Sequence, residues 1–343
     1  MKYKQHVNLF YVINSVKINK IKFYTDDCLN PYHNLAVEEF LTTHVQEDEL
    51  IMYLWQNEHT IVIGRNQNAW QECRVKEFEK SGGKIARRLS GGGAVYHDLG
   101  NLNFTFCVQK ANYDVERQLN VILKAVQSLG INAEKTGRND ITIAGKKFSG
   151  NAFYKAGKYC YHHGTLLLDV DTEKMMQYLN VDMEKLQSKG VSSVKSRVIN
   201  LKECCVDISR KIMTEKIKSA LKFVYNCDIE DISKADLDES QIKQLENKFS
   251  DWNWIFGRKI QFTNHIKRRF AWGNIDIYII VCAGIIKDIE IYSDMMEQDF
   301  ILDLKEVLKN CRYDADVIIT KIKDTAISQK QKCDLIELIQ TEL

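Results

Sequence analysis

Residues 87–103 read Arg87-Arg88-Leu89-Ser90-Gly91-Gly92-Gly93-Ala94-Val95-Tyr96-His97-Asp98-Leu99-Gly100-Asn101-Leu102-Asn103, a cationic pair followed by three consecutive glycines. Three missing Cβ atoms let the backbone take unusual φ/ψ angles and approach a bulky anion closely. Consecutive N–H groups in such a turn can form an anion-binding concavity. Arg88 adds a fixed charge and a forked donor suited to phosphate or carboxylate. Together these features imply a nucleotide or acyl-phosphate site, and a glycine-rich hairpin beside a salt bridge is the plain alternative. The segment fits neither GxxxxGK[ST] nor GxGxxG, which disfavours a P-loop and a Rossmann fingerprint.

Working outward, Gly137-Arg138-Asn139-Asp140 places an acid on a turn before a strand. Gly145-Lys146-Lys147-Phe148-Ser149-Gly150-Asn151-Ala152 follows. A lysine succeeded by small residues can send its ammonium into a crowded pocket, between a carboxylate and an α-phosphate. Tyr161-His162-His163-Gly164-Thr165-Leu166-Leu167 then puts imidazoles at the start of a strand.

Upstream, Leu35, Val37, Phe40, Leu41 and Val45 fall near helical spacing, with Glu38 and Glu39 read as a solvated face. Short β-rich runs are predicted at 50–55, 60–63, 84–88 and 102–108, a helix at 115–129, and further strands at 131–134, 141–143, 146–148 and 165–170. Strands in runs, not in strict alternation with helices, predict an α+β fold with mixed and antiparallel sheets. A charged, helix-favouring connector spans about 208–248. Beyond it come a strand-rich segment at 269–291 and helical patterns at 300–308 and 334–343. The expected organisation is an N-terminal extension (1–21), a catalytic domain (22–245) and a small α+β domain (246–343).

The chain has 343 residues, 45% hydrophobic and 27% charged, with formal net charge +2. That balance suits a globular protein and gives no basic field for nucleic acid. Ten cysteines occur without a CxxC pair, and no export signal is evident near the N-terminus, so a reducing cytoplasm is expected. No apolar run approaches the ~20 residues of a membrane span.

At these residues the sequence resembles the lipoate-protein ligase family, relatives of the biotin protein ligases. Arg-Arg-x-Ser-Gly-Gly-Gly-Ala-Val-Tyr-His-Asp, Gly-Arg-Asn-Asp, Lys-x-Ser-Gly-Asn-Ala, His-His-Gly-Thr-Leu-Leu and Lys189-Gly190-Val191-Ser192-Ser193-Val194-Lys195-Ser196-Arg197-Val198 stand in the family's order. The likeness extends upstream to Asn34-Leu35-Ala36-Val37-Glu38-Glu39 and Gly64-Arg65-Asn66-Gln67-Asn68. Downstream it reaches Trp252-Asn253-Trp254-Ile255-Phe256-Gly257 and Arg268-Arg269-Phe270-Ala271-Trp272-Gly273, which look like the family's accessory domain.

The resemblance implies that lipoate attacks the α-phosphate of ATP, giving lipoyl-AMP, and that a carrier lysine then displaces AMP. Lys147 matches the family lysine that contacts acyl oxygen and phosphate, while Lys146 is read as solvated. Arg88 and the backbone of Gly93, Ala94, Val95 and Tyr96 match ATP-contacting positions. Ser90, Gly91, Gly92, His97, Asn139, Asp140, Ser149, Gly150 and His163 match the lipoate and adenylate pocket. His97 contacts the adenylate or braces the loop; Asp140 holds Mg²⁺, orients the incoming amine or serves a turn. Apolar residues beside Glu38 are candidates for a tunnel wall, and Cys73 and Cys160 are read as structural. Implied partners are lipoyl carrier domains of 2-oxoacid dehydrogenase E2 subunits and the glycine cleavage H protein, served by a monomer. The rival of the same fold is an octanoyl or lipoyl transferase, which needs a pocket cysteine and no ATP. A DNA-binding sensor would need a recognition module that the segment before residue 22 is too short to supply.

Overall fold

Strand β6 (Asn101–Gln109) alternates Leu102, Phe104, Phe106 and Val108 with Asn101, Asn103, Thr105 and Cys107, and both sets are buried. A strand covered on both faces belongs in the middle of a sheet. It lies there, in an eight-stranded mixed sheet. The partners are β1 (Lys20–Thr25), β2 (Glu49–Trp55), β7 (Ala133–Thr136), β8 (Asp140–Ile143), β9 (Lys146–Ala156), β10 (Tyr159–Leu167) and β11 (Ile229–Asp231), in the order β11-β1-β2-β6-β10-β9-β8-β7. The β1–β2 and β1–β11 pairs are parallel; the rest of the ladder is antiparallel. The computed structural model describes residues 18–136, 140–180, 197–256, 264–296 and 299–343.

The apolar set of β6 packs under the helices Val115–Gln127 and Arg210–Tyr225, sharing a core with Leu119, Ile122, Met213 and Ile217. The polar set faces the helix Pro31–His44 and a smaller sheet. That sheet joins β3 (Thr60–Ile63) in parallel to β4 (Lys84–Arg87) and antiparallel to β5 (Val95–His97). The glycine triplet is thus the link between β4 and β5.

Two readings change here. Glu38, expected in solvent, is 1% exposed and points into the polar face, while Glu39 pairs with Lys248 at 2.6 Å on the outer side. The strand expected at 165–170 begins at Tyr159 and carries both histidines in its middle. Strand β11 and the helix Ala315–Lys323 were not anticipated. The expected domain boundary falls inside the helix Glu239–Ser250, which packs on Pro31–His44 through Ile242 and Phe249.

His33, on the first turn of Pro31–His44, sits 3.1 Å from Asp26 Oδ2 and 3.6 Å from Glu246 Oε2, tying that helix to Glu239–Ser250. The His33 hydrogen bond pushes the Asp26 carboxyl down to about 2, and the same bond raises the His33 imidazole. A lowered carboxyl stabilises above its ordinary value and loses that contribution as pH falls toward 2. A raised imidazole stabilises below its ordinary value and loses that contribution as pH climbs through the folded one. The cluster therefore stabilises most between about pH 4 and 6.5. His33→Gln should cost more in thermal midpoint at pH 5.5 than at pH 8.5; an equal loss at both would contradict the assignment.

The C-terminal part is α+β as expected. β12 (Asn264–Phe270), β13 (Gly273–Cys282) and β14 (Ile285–Ser293) form an antiparallel sheet. Its buried isoleucines meet the helices Asp299–Leu308, Ala315–Lys323 and Gln329–Glu342 in a separate core. Among the described residues no helix is long and apolar enough to cross a membrane.

Candidate active site

A cavity of about 740 Å³ opens between the polar face of the large sheet, the glycine loop and the residues flanking the C-terminal sheet. Leu35, Trp55, Val62, His97 and Asn103 line its buried side; Asp140, Lys147 and Arg197 line the side nearer solvent. Arg269–Gly273 and Asp294–Met296 form the remaining wall.

Adjacent arginines divide the work of holding the loop. Arg87 is buried and donates from Nη1 to the carbonyls of Gly64, Arg65 and Gln67, at 3.0, 2.9 and 2.7 Å, and from Nε to that of Trp254 at 2.9 Å. Arg88, also buried, donates to the carbonyls of Val62, Gly91 and Gly93 at 3.0, 2.7 and 2.8 Å, and to Ser90 Oγ at 3.0 Å. Burial lowers both guanidinium groups to about 10, so both stay charged at neutral pH. Arg88 lines the cavity with most of its donors committed to the loop.

Glycine is required at two positions of this turn. Gly92 has φ +91°, in the left-handed region. A Cβ on Gly91 would lie 2.4 Å from the carbonyl oxygen of Met295. The C-terminal part is seated on the loop: Gly92 N–H donates to Met295 O at 3.2 Å, Ser293 N–H to Asn66 O at 2.8 Å, and Gln71 Nε2 to Tyr278 Oη at 2.7 Å.

Lys147 is held from both sides of its backbone. Its N–H donates to Arg197 O at 2.7 Å and its carbonyl accepts from Ile199 N–H at 3.0 Å. Its side chain crosses Gly150, where a Cβ would come within 2.7 Å of Nζ, and reaches Asp140 Oδ1 at 2.8 Å. The lysine side chain is 38% exposed and the aspartate 27%, so the pair is water-accessible and its ammonium can be drawn to a ligand. Among the described residues no group of three or more His, Cys, Asp or Glu is placed to hold a metal ion. Two carboxylates of the described residues lie on the wall, Asp140 and Asp294, the second beside Arg269 at 3.7 Å; one or two carboxylates are the usual protein share of a magnesium ion that takes its other ligands from phosphates and water.

On the polar face, His163 Nδ1 meets Glu38 Oε1 at 2.8 Å and His163 Nε2 meets Ser90 Oγ at 2.7 Å. Glu38 Oε1 also accepts from Thr105 Oγ1 at 2.7 Å, which in turn accepts from Trp55 Nε1 at 3.0 Å. The order Ser-His-Glu has the spacing of a hydrolase triad, but Ser90 has no exposure and lies off the cavity wall. This chain of bonds fixes the wall and holds Ser90 back from the cavity. The carboxylate was missed in the sequence because its partner is 125 positions away.

Of the residues singled out in the sequence, Arg88, Gly92, Gly93, Ala94, Val95, His97, Asp140, Lys147, Gly150 and His163 share the cavity wall. Ser90 and Gly91 stand behind it. Tyr96 turns its ring away from the cavity into the core with Ile61, Phe78 and Tyr178, its hydroxyl 3.3 Å from His59 Nδ1. Ser149 is buried off the wall, its hydroxyl without a partner among the described residues. His162 faces the opposite core, between Gln118 and Asn151. Asn139, Gly137, Arg138 and Lys189–Ser196 lie outside the described residues. Arg197 and the Arg269–Gly273 segment were quoted for the resemblance without a role; both reach the cavity.

The chain matches the family described as the lipoyl protein ligase A/B catalytic domain over residues 30–222, and that described as the bacterial lipoate protein ligase C-terminus over residues 259–340. It is 38% identical to the lipoate-protein ligase A of Psychrobacter cryohalolentis over 313 residues, 89% of this chain and 92% of that one. Among solved structures it is similar to P. falciparum LipL1 in complex with lipoate, with TM-score 0.81 and 28% identity, covering 94% of this chain and 100% of that one. A bipartite lipoate protein ligase of Thermoplasma acidophilum, described together with its E2 lipoyl domain, aligns with TM-score 0.61 and 25% identity, covering 72% and 100%.

Proposed function

Because this chain belongs to the lipoate-protein ligase family, we propose that its cavity holds lipoate and ATP together, joins them as lipoyl-AMP, and delivers the lipoyl group to a lysine of a carrier domain. The observation that carries this reading is that Lys147 and the Gly92–Val95 loop line one cavity, together with the apolar residues Leu35, Trp55 and Val62.

The carboxylate oxygen of lipoate attacks the α-phosphorus, a P–O bond forms, and pyrophosphate leaves with the electrons of the broken one. The carrier amine then attacks the acyl carbon, AMP departs, and the amine loses a proton. Neither step needs a protein nucleophile, so positioning and charge stabilisation are the enzyme's share. Lys147 offsets charge developing between carboxylate and phosphate. Backbone of Gly93, Ala94, Val95 and Tyr96 cradles the nucleotide, with Arg88 holding that backbone in shape. His163 stands on the same cavity wall, and Asp140 is a carboxylate available to Mg²⁺, which would neutralise the departing pyrophosphate.

We assign catalysis to the part built on the large sheet, which keeps the whole helix Glu239–Ser250, and an accessory, covering role to the C-terminal sheet and its helices, in a cytoplasmic monomer. Its acceptors are the lipoyl domains of E2 subunits and the H protein. The transferase alternative needs a thiolate in the pocket; among the described residues no cysteine lines it, and burial raises the thiols of Cys73, Cys107 and Cys160. The test supplies lipoate, ATP, Mg²⁺ and an apo carrier domain. AMP, pyrophosphate and a lipoylated lysine are expected; absence of AMP and pyrophosphate would reject the ligase reading.

A further inference from the structure

The buried end of the cavity carries polar groups that no apolar chain explains. Asn34 Nδ2 donates to the carbonyls of Cys28 and Gln56 at 2.9 and 2.8 Å, which fixes its amide, and donates to Asn57 Oδ1 at 2.9 Å. Asn57 must then offer Nδ2 to His97, and His97 Nδ1 accepts it at 3.1 Å. The His97 proton is therefore on Nε2. That atom is buried with no partner among the described residues. Burial, and next the charge of Arg88, lowers this imidazole to about 3, so it is neutral at physiological pH and keeps this single donor.

Asn103 repeats the situation one strand away. Its Oδ1 accepts from Asn101 Nδ2 at 2.9 Å, leaving Nδ2 buried with no partner among the described residues. Both residues line the cavity beside Trp55, whose ring stands edge-on to His97 at 6.3 Å and which pairs with Asn103 across the strands. Buried donors without acceptors are rare and costly in a folded protein. Two of them, in side chains that line one cavity, point to an acceptor that arrives with the substrate.

Resting on the ligase reading, we infer that His97 Nε2 and Asn103 Nδ2 are specificity determinants that select an acyl chain ending in hydrogen-bond-accepting ring sulfurs over an alkyl chain of the same carbon count. The sulfurs of a dithiolane are weak acceptors, yet a methyl or methylene end offers none. A plain chain leaves both donors unsatisfied in a dry pocket, a penalty that falls on the wrong substrate.

The experiment measures acid-dependent exchange between pyrophosphate and ATP with three acids: lipoate, octanoate and 5-cyclopentylpentanoate, which keeps the ring and lacks sulfur. Lipoate is expected to exceed both others by roughly tenfold in kcat/KM. In Asn103→Leu the ratio of lipoate to cyclopentyl acid should fall to about one, through loss with lipoate and gain with the carbocycle. Equal rates for lipoate and its carbocyclic analogue in the unaltered enzyme would overturn the inference, and need no variant to fold. An unchanged ratio in a folded Asn103→Leu would do the same. Exchange with none of the acids would instead defeat the ligase reading itself, and the inference with it.

Discussion

Lys147→Ala is expected to keep the fold and to lower the rate of acyl-adenylate formation by about 10³-fold. The side chain is part-exposed and its one described ion pair, to Asp140 at 2.8 Å, is of the kind that contributes little to stability. Its removal therefore costs no packing. What is lost is the cation beside the site where a carboxylate meets a phosphoryl group, both anionic before they join. Lys147→Arg keeps the charge but spreads it over a planar fork that must cross Gly150, so it should recover only part of the rate. The measurement is single-turnover formation of lipoyl-AMP, with circular dichroism and a thermal melt as the check on folding. A folded alanine variant with near-normal turnover would contradict the role.

Arg87→Met is expected to act the other way, destabilising the protein by about 4 kcal/mol. The arginine's buried donors serve carbonyls of Gly64, Arg65 and Gln67 on one segment and Trp254 and Ile255 on another. Methionine fills similar space and strands these acceptors, those of Gly64, Gln67 and Ile255 in a region water does not reach. Segment 64–67 abuts the glycine loop, with Gly64 so close to Gly92 O that a Cβ would lie 2.1 Å from it, so the loop should loosen with it. Urea denaturation measures the loss; a variant within 1 kcal/mol of the parent would show that the bonds are replaced by others.

The adjacent Arg87 and Arg88 illustrate what the sequence discloses and what it withholds. The anion-cradle reading of residues 87–97 came from chemistry that acts locally: absent Cβ atoms, consecutive N–H groups and nearby charge. Asp140 and Lys147 are placed in one pocket by resemblance alone; their ion pair is not read from the sequence, although a short hairpin joins the two. Which arginine faces the cavity and which holds the frame depends on carbonyls from residues 62–67 and 254–255, far along the chain. Glu38 failed for a related cause. Periodicity separates one face of a helix from the other, but Pro31–His44 is covered on more than one side, and a carboxylate set among buried residues reads like a solvated one until its histidine is in place. In β6 the polar positions Asn101, Asn103 and Thr105 had the alternation of a strand with one wet face. They are dry because the helix and the small sheet close over them.

The short elements β11 and Ala315–Lys323 went unseen because the first is three residues of edge strand and the second lies in a charged stretch with no strong start signal beyond Asp314. Their absence from the reading did not alter the class of fold, which the runs of strands and the large buried sheet already determine.

The central claim is that the glycine loop and the Lys147 ammonium act on a single carboxyl–phosphoryl junction. A crystal structure with a non-hydrolysable lipoyl-adenylate analogue tests it most directly. The account predicts Lys147 Nζ within hydrogen-bond distance of both the acyl and phosphoryl oxygens, the phosphate against the 92–95 backbone, and the ring beside His97 and Asn103. An analogue bound with its phosphate away from the loop, or with Lys147 still paired to Asp140 and turned from the junction, would contradict it.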